Sequence, residues 1–242
     1  MGMRIKIFFL FFVLCWAMQS RGQITSGKIV YERKSNLYKK FKDNDWVMNW
    51  IKEVDKIKVD SFELFFNDTV SFFRPVESEL KENLSWTTEK NTVYQNFNRG
   101  TRFTIKSIWG QGIRVTDSLY KRQWKITSSK RNISGYNCRK AIWQSNDSTR
   151  IYAWYSDEII PSTGPESFYG LPGTILGLAA EDGGVIYFAK SIEVMKPDST
   201  LFTPEKTKDK IYSSKELRTM LEKQYGKEKW GKEMIKNVFG YW

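Results

Sequence analysis

Three carboxylates stand close together in this sequence: Asp157 and Glu158 in "YSDEII", and Glu166 in "GPESFYG". Two carboxyl groups held at a fixed gap can hydrolyse a glycosidic bond, one as acid and the other as base or nucleophile. Spacing along the chain does not set that gap, and a loop carboxylate is most often simply solvated. A hydrolase using these loop carboxylates is therefore the alternative reading rather than the leading one. The chain has no histidine, which excludes Ser-His-Asp and Cys-His catalysis and the usual zinc sites. Cys138 lies in "GYNCRKAIW", beside Arg139 and Lys140. Strand alternation would put Cys138, Lys140 and Ile142 on one face and Arg139 on the other. A buried, inert thiol is expected there, with Lys140 on the same face as a conflict. The short acidic turns "NDT", "SND" and "EDGG" do not match a calcium loop, and no glycine-rich phosphate loop occurs. No metal or cofactor is expected.

The second kind of chemistry is binding. The stretch "GPESFYGLPGTIL", residues 164–176, is rich in residues that fix the backbone. Pro161, Pro165 and Pro172 each lock one angle, and Gly164 and Gly170 permit positive φ or close approach. Leu171 to Thr174 suits a type II turn, with Pro172 at the second position and Gly173 at the third. Phe168, Tyr169 and Leu171 supply apolar anchors. Such a rigid loop would close one end of a sheet, or form one wall of a pocket with Trp154 and Tyr155. Alternation places those two aromatics on opposite faces of their strand.

These groups need a scaffold, and the sequence describes one. Arg4 and Lys6 precede an apolar run from Ile7 to Ala17, with Ser20 and Gly22 before Gln23. That run fits a signal peptide over residues 1–22 and is too short to span a bilayer as a helix. An exported protein is expected, periplasmic or associated with the cell surface, with no transmembrane segment after cleavage. Cleavage leaves one cysteine, so no intramolecular disulfide is expected. Loss of Arg4, Lys6 and Arg21 lowers the net charge from +12 to +9. Export argues against nucleic acid as the partner of this basic surface.

Residues 23–195 read as an antiparallel β domain carrying the GLPG loop. Strands are expected near 27–34, 92–97, 101–108, 112–116 and 122–127. Hairpins are expected over Asn67-Asp68, between 136–144 and 149–155, and across Asp182-Gly184, giving about nine or ten strands in a curved sheet or half-barrel-like meander. Phe103, Ile105 and Ser107 alternate with polar residues, a half-buried strand pattern. Trp46, Trp50 and Val54 recur at helical spacing, with Asn44 or Asp45 as a cap. Residues 196–242 read as a linker and short C-terminal helices, opened by a capping box at Ser213 and Glu216 and interrupted at Gly226.

Residues 122–195 also carry an ordered set of motifs. They are a Trp in "WKITSSKRNISG", then "GYNC", "AWY", "IPSTGP" and Gly170-Leu171-Pro172-Gly173-Thr174-Ile175. The set resembles the GLPGLI family of secreted bacterial proteins, with Thr174 where that family has Leu. The resemblance implies an exported, β-rich envelope protein and no particular reaction. A non-catalytic binding or accessory module is therefore the leading expectation, for an apolar ligand, lipid, peptide or partner protein. Its candidate ligand-binding residues are those of the loop, Pro161, Pro165, Phe168, Gly170, Leu171, Pro172 and Gly173, together with Trp154 and Tyr155.

Overall fold

The structure, a computed structural model, describes residues 22–76, 84–145 and 149–240. The leader expected over residues 1–22 lies, up to residue 21, outside the described residues.

The alternating residues of Gly27–Asn36 form the first strand, β1, which buries Ile29, Tyr31, Arg33 and Ser35 on one face. A meander extends from one of its edges: β2 (Ile57–Phe66), β3 (Val70–Pro75), β4 (Thr92–Asn96), β5 (Thr101–Ile108) and β6 (Gln111–Ser118). A second meander starts at the far edge of the sheet with β7 (Lys125–Ile133), β8 (Tyr136–Gln144) and β9 (Arg150–Ser156). It continues through β10 (Thr174–Ala180) to β11 (Val185–Val194), which pairs with the other edge of β1. A two-residue strand, β12 (Ile211–Tyr212), joins β6 in parallel. The result is one open twelve-stranded sheet in which every other pairing is antiparallel, in agreement with the short links in the sequence.

Local chemistry makes the turns. The Asn67 side chain accepts from the backbone of Thr69 and Val70, both at 2.9 Å, and so folds the hairpin between β2 and β3. Ser134 and Gly135 have φ of 50° and 88° and join β7 to β8 as a two-residue hairpin turn. The strand expected at 122–127 thus starts later and runs further, and the turn expected over Asn132 to Gly135 contracts to two residues.

Bulges bend the sheet. Ladder register slips between Val30 and Tyr31, between Ile126 and Lys130, and between Ile175 and Gly177. At the last of these, the carbonyl of Ile175 accepts from the Tyr31 hydroxyl at 2.6 Å. The concave face carries the main core, including Ile29, Tyr31, Phe62, Leu64, Phe73 and Tyr187. On the opposite face, direct cross-strand neighbours Phe65, Phe72, Tyr94 and Phe103 form an aromatic ladder with centroid spacings of 6.2, 4.4 and 6.0 Å.

After β1 come two short helices, α1 (Leu37–Lys40) and α2 (Asp45–Met48), the second capped by Asn44 as expected. The apolar stripe read from the sequence does not face a core: Trp46 and Trp50 are 68% and 62% exposed, and Val47 and Ile51 pack with Leu37 instead. At the other end, α3 (Ser214–Tyr225) opens with the Ser213–Glu216 capping box, and α4 (Lys229–Val238) follows the break at Gly226. Leu217, Leu221, Ile235 and Val238 of this helical pair pack on Ile108 and Val115 of β5 and β6.

Candidate functional site

Strand β5 has its polar side chains on the inside. Thr104 is buried, and Arg102, Thr104 and Lys106 all line a cavity of about 770 Å³ on the concave face. Phe103 is in the aromatic ladder on the outer face, so the side of this strand that the hydropathy pattern marks as polar is the side turned inward. Val93 of β4 and Trp143 of β8 line the same cavity, so the curl of the sheet brings β4 and β5 opposite β8. Residues of α3 and the end of α4 close it, among them Lys215, Arg218 and Phe239. Lys106 donates to the carbonyl of Val238 at 2.7 Å and ties the end of α4 to the sheet. A second cavity of about 910 Å³ adjoins it past Arg218 and Phe239, between Arg33 and α4.

Next to these cavities runs a buried polar chain. The register of β1 places Arg33 directly between Asp60 on β2 and Tyr187 on β11. Arg33 is bonded to Asp60 at 2.7 Å and donates to the Tyr187 hydroxyl at 3.3 Å and to the Glu89 carbonyl at 2.7 Å. Tyr187 in turn donates to Glu166 at 2.9 Å, and Asn91 donates to the same carboxyl at 3.5 Å. Burial by itself would lower the Arg33 guanidinium, but Tyr187 and Asp60 outweigh it and hold it above its ordinary range. Burial would raise the Asp60 carboxyl, yet Arg33 and Lys58 keep it below its ordinary range. For Glu166 burial wins, and its pKa is raised despite Arg33, Tyr187 and Lys106 nearby.

The loop of residues 159–173 holds Glu166 in this place. Glu166 itself has φ of 55°, a left-handed conformation uncommon for a residue with a side chain. Pro165 is buried and its carbonyl accepts from the Phe168 backbone at 3.1 Å. Pro161 is buried and accepts from the Thr174 hydroxyl at 2.6 Å. Phe168 is fully buried among Trp124, Trp143 and the guanidinium of Arg122, and Leu171 belongs to the main core. Gly170, with φ of 98°, donates to Ser162 at 2.7 Å, and Pro172 is exposed.

The turn at Leu171 to Thr174 is tighter than the type II turn read from the sequence. Gly173 donates to the Leu171 carbonyl at 2.8 Å, while the Thr174 amide is drawn away to Ile159 at 2.9 Å. Gly173 has φ of 141°, and a Cβ there would collide with the Ser156 carbonyl.

Trp154 and Tyr155 do take opposite faces. Tyr155 is 1% exposed in the main core; Trp154 is half-buried against Phe188 with Arg131 over its ring. Neither lines the two cavities; the loop contributes Glu166 and Ser167 to the wall of the 770 Å³ cavity. Of the three loop carboxylates, Asp157 is exposed, Glu158 accepts from the Asn137 backbone at 3.3 Å, and Glu166 alone lines the 770 Å³ cavity. Cys138 is fully buried, and burial together with the charge of Glu158 pushes its thiol up to about 12. The conflict with Lys140 is resolved by a break in alternation: Cys138, Ala141 and Trp143 are all buried, alongside the slip in the neighbouring β7 ladder. Lys140 turns to Tyr152, its ammonium 3.8 Å from the ring centroid. Among the described residues no three Cys, Asp or Glu side chains cluster as a metal site requires.

Arg33, Asp60, Arg102, Lys106 and Arg122 are absent from the sequence-derived set of site residues. A signal for the first two is present: Arg33 is in phase with Ile29 and Tyr31, and Asp60 with Phe62 and Leu64, so each is a charge at a core position.

A family model described as a protein of unknown function, Porph_ging, matches residues 143–177, the segment from Trp143 through β9 and the loop into β10. No curated protein matches the chain. Two solved structures of PNGF-II share the fold. That in space group C2 has a TM-score of 0.53 at 17% identity, over 88% of this chain and 33% of that one. That in space group P21 has a TM-score of 0.56 at 17% identity, over 83% of this chain and 34% of that one. This chain therefore spans about a third of the length of those proteins, and the likeness is one of fold.

Proposed function

We propose that the protein is an exported, non-catalytic binding module of the cell envelope that takes its ligand on the concave face of the sheet. The observation that carries this reading is the 770 Å³ cavity, walled by Val93, Trp143 and Phe239 and by inward-facing polar residues of β5. Rigid strands, the proline-fixed loop and two helices hold that wall, which is the usual construction of a preformed ligand site. A lipid, a peptide end or another partly apolar small ligand fits an open cleft of this kind better than a flat partner surface does. Export rests on the leader pattern and on the resemblance to secreted envelope proteins. Recovery from an envelope fraction with Gln23 as the first residue is the check on it.

A hydrolase is the second reading, and one observation favours it: Glu166 lines the cavity with its pKa raised, as a general acid requires. Mass spectrometry of small molecules retained on native purification separates the two. Retention that is lost when Thr104→Trp fills the cavity supports the binding module. Turnover of a panel of chromogenic esters and glycosides, abolished by Glu166→Gln, supports the hydrolase and sinks the leading proposal.

A further inference from the structure

We propose that Arg102 and Arg122 form an oxyanion subsite in this cavity, for a ligand that carries a carboxylate or phosphate on an apolar body. The inference rests on the binding reading above and names the chemistry of its ligand.

The two guanidinium groups converge on one residue. Arg102 donates to the Ser167 hydroxyl at 3.2 Å, and Arg122 donates to the Ser167 carbonyl at 2.9 Å. Arg102 is also paired with Asp117 at 3.1 Å, and Asp117 in turn accepts from the first residue of α3, Ser214, at 3.0 Å. Arg122 has no such anion. It is 8% exposed, and no carboxylate among the described residues lies within ion-pair distance of it. Its Nε is buried with no protein acceptor, and the Nε of Arg102 is in the same condition. A buried guanidinium is costly unless it is paired and hydrogen-bonded. The rings of Phe168 at 4.0 Å and Trp143 at 5.2 Å offset part of that cost by facing the cation. They supply no acceptor.

The surrounding field points the same way. Among the described residues Lys215 and Arg218 also line the cavity, against one acid, Glu166; burial biases Glu166 toward its neutral form and lowers the Lys106 ammonium as well, so Lys215 and Arg218 carry the added positive charge. Burial and the charge of Arg102 pull the Arg122 pKa down to about 10, which leaves it cationic at neutral pH. A planar oxyanion suits two guanidinium forks better than a single ammonium would. Val93, Trp143 and Phe239 beside them offer apolar surface for the rest of the ligand.

Isothermal titration of the full chain with three matched probes tests this: 2-naphthoate, 2-naphthyl phosphate and the neutral 2-naphthamide. At least one anion should bind about tenfold or more tighter than the amide, the scale of one charge-assisted hydrogen bond. Arg122→Met and Arg102→Gln should each erase that preference, whereas Lys190→Gln, an exposed cation remote in the sequence from these arginines, should leave it intact. If Arg122→Met does not fold, Arg102→Gln and the anion-to-amide ratio decide. Where only one anion is preferred, the subsite stands and that anion identifies the head group. Equal binding of all three probes overturns the oxyanion subsite while leaving the binding cavity in place. Absence of binding by both anions, or a preference that survives both arginine variants, also overturns it.

Discussion

Arg33 of β1 and Asp60 of β2 are direct cross-strand partners, and their charged groups meet at 2.7 Å beneath the concave face, each 3% exposed. The pair costs desolvation on both sides, so its removal as a unit differs from the removal of one member. Asp60→Asn should destabilise the protein by about 3–5 kcal/mol, because it leaves a buried guanidinium without its anion. The double variant Arg33→Met with Asp60→Leu removes the uncompensated guanidinium but also takes the anion from Lys58 and Lys90, so it should cost less than Arg33→Met and Asp60→Asn added together. Urea unfolding of the variants checks both statements.

Glu166 gives a pH signature. Its folded pKa lies above the value of about 4.3 for a carboxyl in the unfolded chain. Between those two values the folded state binds more protons, so this group makes stability fall as pH rises through the window. Asp60 and Glu63 are held below their ordinary range and act in the opposite sense, losing stability as pH falls. They are unchanged in Glu166→Gln and cancel in a comparison. The variant should therefore gain on the parent protein as pH is raised above about 4.3, as read from unfolding midpoints at each pH. A constant difference would mean that Glu166 titrates normally.

Gly173 should tolerate no side chain. Gly173→Val should cost about 1–3 kcal/mol in backbone strain. A further cost of about 1–3 kcal/mol should come from pushing back the Ser156 carbonyl of β9. Pro172→Ala, at an exposed neighbour with no amide to lose, should cost far less. Thermal unfolding of the two variants side by side provides the measurement.

Tyr155 and Trp154 should differ in the same way. Tyr155→Ala opens the main core and should cost about 3–5 kcal/mol. Trp154→Ala removes a half-buried ring from the other face and should cost less than half as much. Neither lines the cavity, so Trp154→Ala should leave ligand retention unchanged, measured by native mass spectrometry.

Much of the scaffold was legible because local rules and tertiary structure agree. The Asn67 turn, the Ser213–Glu216 box and the alternation of β1 are each determined within a few residues. Strand β5 was legible as a strand and misleading as to its faces. Phe103 and Ile105 look inward-facing by hydropathy, but curvature turns that side outward, where Phe103 packs on Tyr94. Trp46 and Trp50 fail for a related reason: helical spacing shows which residues share a face and not what lies opposite. The site was the least legible part. Arg33 meets Asp60 through ladder register, and Arg102 meets Arg122 through a loop that crosses back over the sheet, and neither relation is carried by spacing along the chain.

The position of β1 bears on how the protein is assembled in time. The strand is the first of the sheet to leave the ribosome, yet Gly27 finds its last partner at Val194. Closing so long a loop carries a chain-entropy cost that must be met before the ladder contributes anything. Contacts of such sequence separation slow folding. A nascent chain ending at residue 180 would hold β1 and β10 with facing edges bare, since the strand between them has not been made. The central ladder is thus closed after every other antiparallel strand has been made, and the sheet stays unfinished at its middle until Val194 has been synthesised.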